Sequence, residues 1–340
     1  MSEIKVSVIV PVYNAEKYIE QTLQALIKQT LKEIEIIVIN DGSTDHSDAI
    51  IKKIAKQSDK VIYVNRENRG VGPTRNEGMA MAKGEYIGFC DSDDIPNKNM
   101  YEKMYKAAKE EDADVAVCDE NIIKNNIVTN RNHKKLKETV YIKDINSFFE
   151  DYYFTKKYEN HVWDKIFKRD IIIKNNIKFG DLKRITGEDT FFSITIIPYC
   201  KKIIFLEDKL YNYMVRPNSI MNTYNPQKME KTIRFMEEVK KFEEERKLEG
   251  NFLYFLTGYL YNLAIASSKE AIKNNAFKEM KNDIEIMLNS LIVSEYANQL
   301  IKINVFKERK KQLFCKLLGK LIVKKKKKSI YTLLRIKYYI

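Results

Sequence analysis

The first 120 residues alternate between short β-branched apolar runs and stretches of helical periodicity, an alternation that few chain architectures accommodate. Val6, Val8, Ile9 and Val10 open the series, and residues 15–30 follow with Ile19, Leu23, Leu26 and Ile27 on one helical face. Residues 35–39, 61–64, 86–90 and 114–118 read as further strands, with helices over 47–56, 72–83 and 97–111 between them. Strands covered on both faces read as unbroken apolar runs, as Ile36-Ile37-Val38-Ile39 does. The pattern predicts an α/β domain with a mostly parallel sheet and helices on both sides. From about residue 226 the composition turns Lys/Glu-rich and helical. The expected division is therefore 1–225, with a nucleotide-binding half (1–120) and an acceptor half (121–225), followed by a helical region over 226–340.

A doubly wound sheet presents its ligand site beyond the carboxyl ends of its strands. The unusual polar residues fall there: Pro11-Val12-Tyr13-Asn14 after the first strand, Asp41-Gly42-Ser43 after the second, and Asp91-Ser92-Asp93-Asp94 after the fourth. Three carboxylates in four residues repel one another unless a cation lies among them, and a hard divalent ion takes such oxygens together with substrate phosphates. The plainer reading is a solvated helix start, where acids are also favoured. Asp41 has two readings as well: an acceptor for the imide hydrogen of a uracil ring, or ordinary turn chemistry. Gly70 and Gly72 allow a close backbone approach to a ligand, and Arg75 suits phosphate or an ion pair with the acidic cluster. No Gly-x-Gly-x-x-Gly follows the first strand, which counts against a dinucleotide dehydrogenase and a phosphate-loop hydrolase.

Farther along, Glu188-Asp189 follows Gly187 and precedes Phe191-Phe192. A sugar hydroxyl attacking an anomeric carbon must lose a proton, and one carboxylate within reach can take it. The same residues also suit a helix start with Asp189 as its cap. Trp163 is either a platform for a sugar ring or part of the core.

Val8 to Asn14, Val38 to Asp45, Arg75-Asn76-Glu77-Gly78, Gly84 through Asp94, and Gly187-Glu188-Asp189 occur in that order and closely resemble glycosyltransferase family 2. The blocks Trp163 to Arg169 and Tyr213 to Ser219 resemble its bacterial members that build capsule, exopolysaccharide, lipopolysaccharide or teichoic-acid glycans. The resemblance implies a Rossmann-like GT-A fold and inverting transfer from a nucleotide sugar, usually a UDP-sugar, to a glycan or lipid-linked acceptor. By the same resemblance, Pro11, Tyr13 and Asp41 hold the uridine, Asp91 contacts ribose or diphosphate, and Asp93 ligates Mn2+ or Mg2+. Asp189 is then the general base, Glu188 shapes the acceptor site, and Arg216 lies near the diphosphate on a closing loop. Arg69 and Gly72-Pro73-Thr74 depart from the residues the family commonly has before Arg75-Asn76, at the donor-phosphate contacts.

The net charge of +13 is confined to one end. Residues 301–340 hold fourteen Lys or Arg and one acid, Glu308, whereas 1–300 carry 46 bases and 46 acids. A nucleic-acid-binding domain would spread its charge over a folded face, so none is expected. Leu313, Phe314, Leu317, Leu318, Leu321 and Ile322 recur at helical spacing among these lysines, which suits a helix lying on an anionic membrane face through 306–340. The four cysteines lack metal-ligand spacing and read as buried thiols of a reducing cytoplasm. With no signal peptide at the start, the expected location is cytoplasmic, at the inner face of the plasma membrane. Residues 252–266 are too short an apolar run to span a bilayer. Two rivals remain at this point: a nucleotidyltransferase, for which a glycine-rich loop with Lys or Arg after the first strand is missing, and a glycan-binding scaffold without activity.

Overall fold

A computed structural model describes residues 3–125, 127–129, 137–216 and 227–339. The chain forms two compact units, one comprising 1–143, 159–183 and 187–219, the other 144–158, 184–186 and 220–340.

The first unit is built on one sheet. Its strands are β1 (Val6–Val12), β2 (Ile34–Asp41), β3 (Val61–Arg66), β4 (Tyr86–Phe89), β5 (Ile95–Pro96), β6 (Val115–Lys124), β7 (Ile127–Thr129), β8 (Glu138–Tyr141), β9 (Lys165–Lys168) and β10 (Lys202–Met214). Their order is β3-β2-β1-β4-β9-β6-β10-β5, with β7 beside β6 and β8 beside β10. The run β3-β2-β1-β4 is parallel throughout, as the alternation of strands and helices predicts. Beyond it β9 lies antiparallel to both β4 and β6, and β6 runs parallel to β10. The sheet is thus mixed. Two reversals across β9 leave β6 pointing the same way as β4, so their carboxyl ends share one rim.

Each face has its own core. On one side Val8, Val10, Ile36, Val38 and Ala116 meet Ile19, Leu23 and Leu26 of the helix Ile19–Ile27 and Met100 and Met104 of the helix Met100–Glu110. Full burial of each such aliphatic side chain contributes about 1.5–3 kcal/mol. On the other side Phe89, Phe167, Phe179 and Phe192 form an aromatic cluster, with Phe179 and Phe192 stacked at 4.2 Å. Phe192 belongs to the helix Glu188–Thr195. This cluster therefore anchors that helix beneath the rim.

The second unit is helical: Lys228–Glu245, Leu253–Lys273, Phe277–Asn289, Leu291–Lys302, Arg309–Val323 and Lys327–Tyr339. Residues 144–158 join it because Phe149 is fully buried against Phe252 and Phe255. None of the helices described is long and apolar enough to cross a membrane. The tail's apolar stripe is divided. Cys315, Leu318, Gly319 and Ile322 are buried, and Gly319 sits so close to the helix Leu291–Lys302 that a Cβ there would meet the Ala297 carbonyl at 2.7 Å. Leu313 and Leu317 remain 60% and 46% exposed. Of the stripe, Leu318 and Ile322 are thus core of the helical unit, Phe314 and Leu321 are half-buried, and Leu313 and Leu317 face outward. The four cysteines are buried free thiols.

Candidate active site

The acidic turn after β4 is held from below by residues that the sequence does not single out. Tyr211 on β10 donates its hydroxyl to Asp94 Oδ2 at 2.9 Å and accepts the Asp91 N–H at 3.2 Å. Asp94 Oδ1 accepts the Met214 N–H at 2.8 Å, and Thr22 Oγ1 donates to the Asp94 carbonyl at 2.9 Å. Both Asp94 oxygens are thereby occupied in a fully buried position, and the residue is structural. Asp91 and Asp93 are the open members of the cluster, with side chains 32% and 38% exposed.

Burial and the neighbouring Asp91 push the Asp93 carboxyl above its ordinary range, against the pull of Arg216. Arg216 offsets this carboxylate only in part, so it fits a further cation. Among the described residues no group of three or more His, Cys, Asp or Glu could hold a metal unaided. A hard divalent ion needs only one or two protein carboxylates when phosphate oxygens and waters complete its shell. The side chains present fit that arrangement and no fuller one.

Arg216 reaches the same turn. Its Nη2 donates to the Asp93 carbonyl at 2.7 Å, its Nε stands 4.0 Å from Asp93 Oδ2, and its guanidinium lies over the Tyr18 ring at 4.0 Å. Residues 217–219, the remainder of that sequence block, lie outside the described residues.

Arg75 is the centre of the site. It projects from the helix Val71–Met81, whose start follows Gly70 at φ +95°. Nη2 donates to Asp91 Oδ1 at 3.0 Å, while Nη1 donates to Glu188 Oε1 at 3.2 Å and to Asp189 Oδ1. One buried cation therefore ties the turn after β4 to the start of the helix Glu188–Thr195. Burial, and the nearby Glu188 and Asp91 carboxylates, raise the Asp189 carboxyl to about 7 despite the opposing pull of Arg75 and Lys165. That value suits proton acceptance near neutral pH.

Several expectations need correction. Asp189 is not a cap: Gly187 occupies the N-cap at φ +72° with no side-chain cap, and Asp189 lies in the first turn. Gly72 approaches protein backbone, not open ligand space, since a Cβ there would lie 2.2 Å from the Gly180 carbonyl oxygen. Trp163 is only 4% exposed and stacks on His161 at 4.5 Å and Tyr211 at 4.3 Å, so its ring belongs to the core and is closed to a sugar. Asp41 is buried, with Oδ1 accepting the Arg69 N–H at 2.9 Å, Oδ2 accepting the Gly70 N–H at 2.8 Å, and Arg66 Nη1 paired to it at 2.6 Å. Its carboxylate braces the 69–70 loop, with Oδ2 holding one hydrogen bond.

Pro11, next to last in β1, is half-buried, and Tyr13 just beyond the strand is 54% exposed. The loops after β1 and β2 are joined: Asn14 N–H donates to Ser43 Oγ at 3.0 Å, and Asn14 Oδ1 accepts the Thr44 N–H at 2.8 Å. Arg66 also pairs with Glu77 at 2.8 Å and donates to Thr74 Oγ1 at 2.7 Å. It closes β3 on the same rim, so strand-end reasoning extended to the third strand would have found it. Tyr211 and Tyr18 carry no such signal.

The comparisons with known proteins agree on kind. A family model described as Glycosyl transferase family 2 matches residues 7–174. Glycosyltransferase GlyA of Streptococcus pneumoniae is 32% identical over 69% of this chain and 34% of its own length. The putative glycosyltransferase EpsH of Bacillus subtilis is 30% identical over 73% of this chain and 74% of its own. Among solved structures, residues 1–349 of S. aureus TarS in complex with UDP-GlcNAc superpose with a TM-score of 0.65 at 21% identity, covering 97% of this chain and 90% of that one.

Proposed function

Because the chain belongs to glycosyltransferase family 2 and is a glycosyltransferase, we propose that it moves a hexose from a UDP-sugar, with inversion, onto a lipid-linked or polymer glycan in bacterial surface polysaccharide synthesis. The donor class is supported by the UDP-GlcNAc complex of TarS, whose fold this chain shares. The work is placed at the inner face of the membrane, where lipid-linked acceptors are presented.

The observation that carries the reading is the double engagement of Arg75 with Asp91 on one side and Asp189 on the other. Donor-side and proton-accepting carboxylates then share one mouth. Pro11, Tyr13 and the loop braced by Asp41 shape the uridine pocket. Asp91 contacts ribose or diphosphate, and Arg75 and Arg216 offset phosphate charge. Asp93 holds Mn2+ or Mg2+, which when bound neutralises charge on the departing diphosphate. Asp189 removes the proton from the acceptor hydroxyl as that oxygen bonds to the anomeric carbon, and Glu188 shapes the acceptor side. One base suffices for direct displacement with inversion, since a retaining route needs a nucleophile as well.

A screen of UDP, UDP-GlcNAc, UDP-glucose and UDP-galactose tests the reading by Mn2+-dependent thermal stabilisation and by turnover. Stabilisation by UDP and at least one sugar, with metal-dependent release of UDP, is expected. Stabilisation without any turnover, on any acceptor or on water, would favour a binding scaffold. No response to any uridine nucleotide would overturn the donor assignment.

A further inference from the structure

The last two helices begin on the wrong charge for their own stability. A helix N-terminus carries about half a positive charge and favours acids. The helix Arg309–Val323 has one acid at its N-cap, Glu308, which makes no capping hydrogen bond, and then opens on Arg309, Lys310 and Lys311; Lys327–Tyr339 opens on Lys327 and Lys328 with no acid in its first turn. Lys324, Lys325 and Lys326 lie between them. Two of these cations are used internally: Lys311 lies 3.6 Å from the Phe306 ring centroid, and Lys327 pairs with Glu285. Lys310, Lys320, Lys324, Lys325, Lys326 and Lys328 are exposed and make no ion pair among the described residues. Glu308 at the N-cap of the first helix and Glu285 beside Lys327 offset only part of this charge, and an excess of cations left unpaired on two adjacent helices is the mark of a functional surface.

The helical turn angle places Lys310, Leu313, Leu317, Lys320 and Lys324 on one face, opposite the buried Cys315, Leu318, Gly319 and Ile322. Two exposed leucines therefore sit among lysines. We infer that this face docks the protein on an anionic lipid surface, held mainly by charge, with Leu313 and Leu317 entering the headgroup layer. Deep insertion lacks a continuous apolar stripe to drive it, because Leu318 and Ile322 are buried in the helical unit and Phe314 and Leu321 are half-buried. A nucleic acid would use the lysines but offers little to exposed aliphatic side chains, whereas a headgroup layer accepts both. The remainder of the chain carries no net charge to set against the attraction. The inference does not depend on the transfer reaction and fails or stands separately from it.

The test sediments the full chain with vesicles of phosphatidylcholine alone or with roughly 30% phosphatidylglycerol, with duplex DNA and single-stranded RNA as competitors. Binding to the anionic vesicles only is expected, with release when salt rises from about 0.05 M to about 0.5 M. Joint replacement of Lys320, Lys324, Lys325, Lys326 and Lys328 by Ser should weaken binding by at least about a hundredfold. Leu313→Ser with Leu317→Ser should weaken it by roughly tenfold. Unchanged stabilisation by UDP in each variant reports an intact fold. Equal binding by the lysine variant, equal binding to neutral vesicles, or displacement by nucleic acid at comparable affinity would each overturn the proposal. The lipid and salt arms use the unaltered protein and decide the matter even where a variant misfolds.

Discussion

Arg75 donates through Nη1 to Asp189 while its other terminal nitrogen holds Asp91 at 3.0 Å. The turn after β4 and the start of the helix Glu188–Thr195, more than ninety residues apart in sequence, are thereby locked to one side chain. Its three carboxylate partners keep the guanidinium charged against the cost of its burial. Any event on the donor side that draws on this cation is felt at the proton acceptor, and the pH dependence of transfer should report it.

The acid limb of kcat is expected near pH 7, because burial and the neighbouring acids raise the Asp189 carboxyl to about 7. A general base works only when deprotonated, so the rate should climb through that region and level off above it. Arg75 is the largest influence lowering that value. Arg75→Gln should therefore shift the limb to higher pH and reduce the plateau. A profile flat from about pH 5 to about pH 9 in the unaltered enzyme would contradict this.

Gly72 sets how closely the helix bearing Arg75 approaches the segment leading to Asp189. Gly72→Ala places a Cβ 2.2 Å from the Gly180 carbonyl oxygen, so one backbone must move. Destabilisation of about 1–3 kcal/mol is expected by denaturant unfolding. The transfer rate should fall more than UDP affinity, since the displaced contact joins the base to Arg75. Equal losses in both would show that Gly72 positions the nucleotide pocket instead.

Asp41→Ala removes the brace of the 69–70 loop and leaves Arg66 buried with Glu77 as its remaining carboxylate. Breaking one side of a buried pair costs about 3 kcal/mol. Urea unfolding should show a loss of that size, together with weaker UDP binding by calorimetry. A variant of unaltered stability that lost only uracil discrimination would restore the direct-acceptor role.

The parallel half of the sheet was legible because each of its strands is a dense apolar run followed by turn residues at the carboxyl end. The rim rule then placed Asp91, Asp93 and Asp41 correctly at strand ends. It said nothing of what their oxygens touch, and so left Asp41 between a uracil acceptor and turn chemistry, where the structure has it accept backbone N–H groups nearly thirty residues away. Trp163 and Tyr211 were opaque for a different reason. They lie where β9 and β10 join the sheet out of chain order, and no periodicity within either strand reveals that their rings stack. In the tail the helical spacing was real, but spacing alone does not say whether a stripe faces a membrane or a neighbouring helix. Family membership sets aside the nucleotidyltransferase alternative.

Metal dependence should track Asp93 and require the diphosphate. Mn2+ alone should stabilise the protein little, because the described residues supply no complete ligand set. Mn2+ with UDP should raise Tm beyond UDP alone, and Asp93→Asn should abolish that increment. Chelation with EDTA should stop transfer reversibly. An increment that survives Asp93→Asn would move the ion elsewhere.

The most direct measurement compares the unaltered enzyme with Asp189→Asn, recording UDP affinity by calorimetry beside sugar transfer from a UDP-sugar that supports turnover. The account predicts UDP binding within about twofold and a loss of turnover of about a hundredfold or more. Turnover retained in that variant, or UDP affinity lost together with turnover, would contradict it.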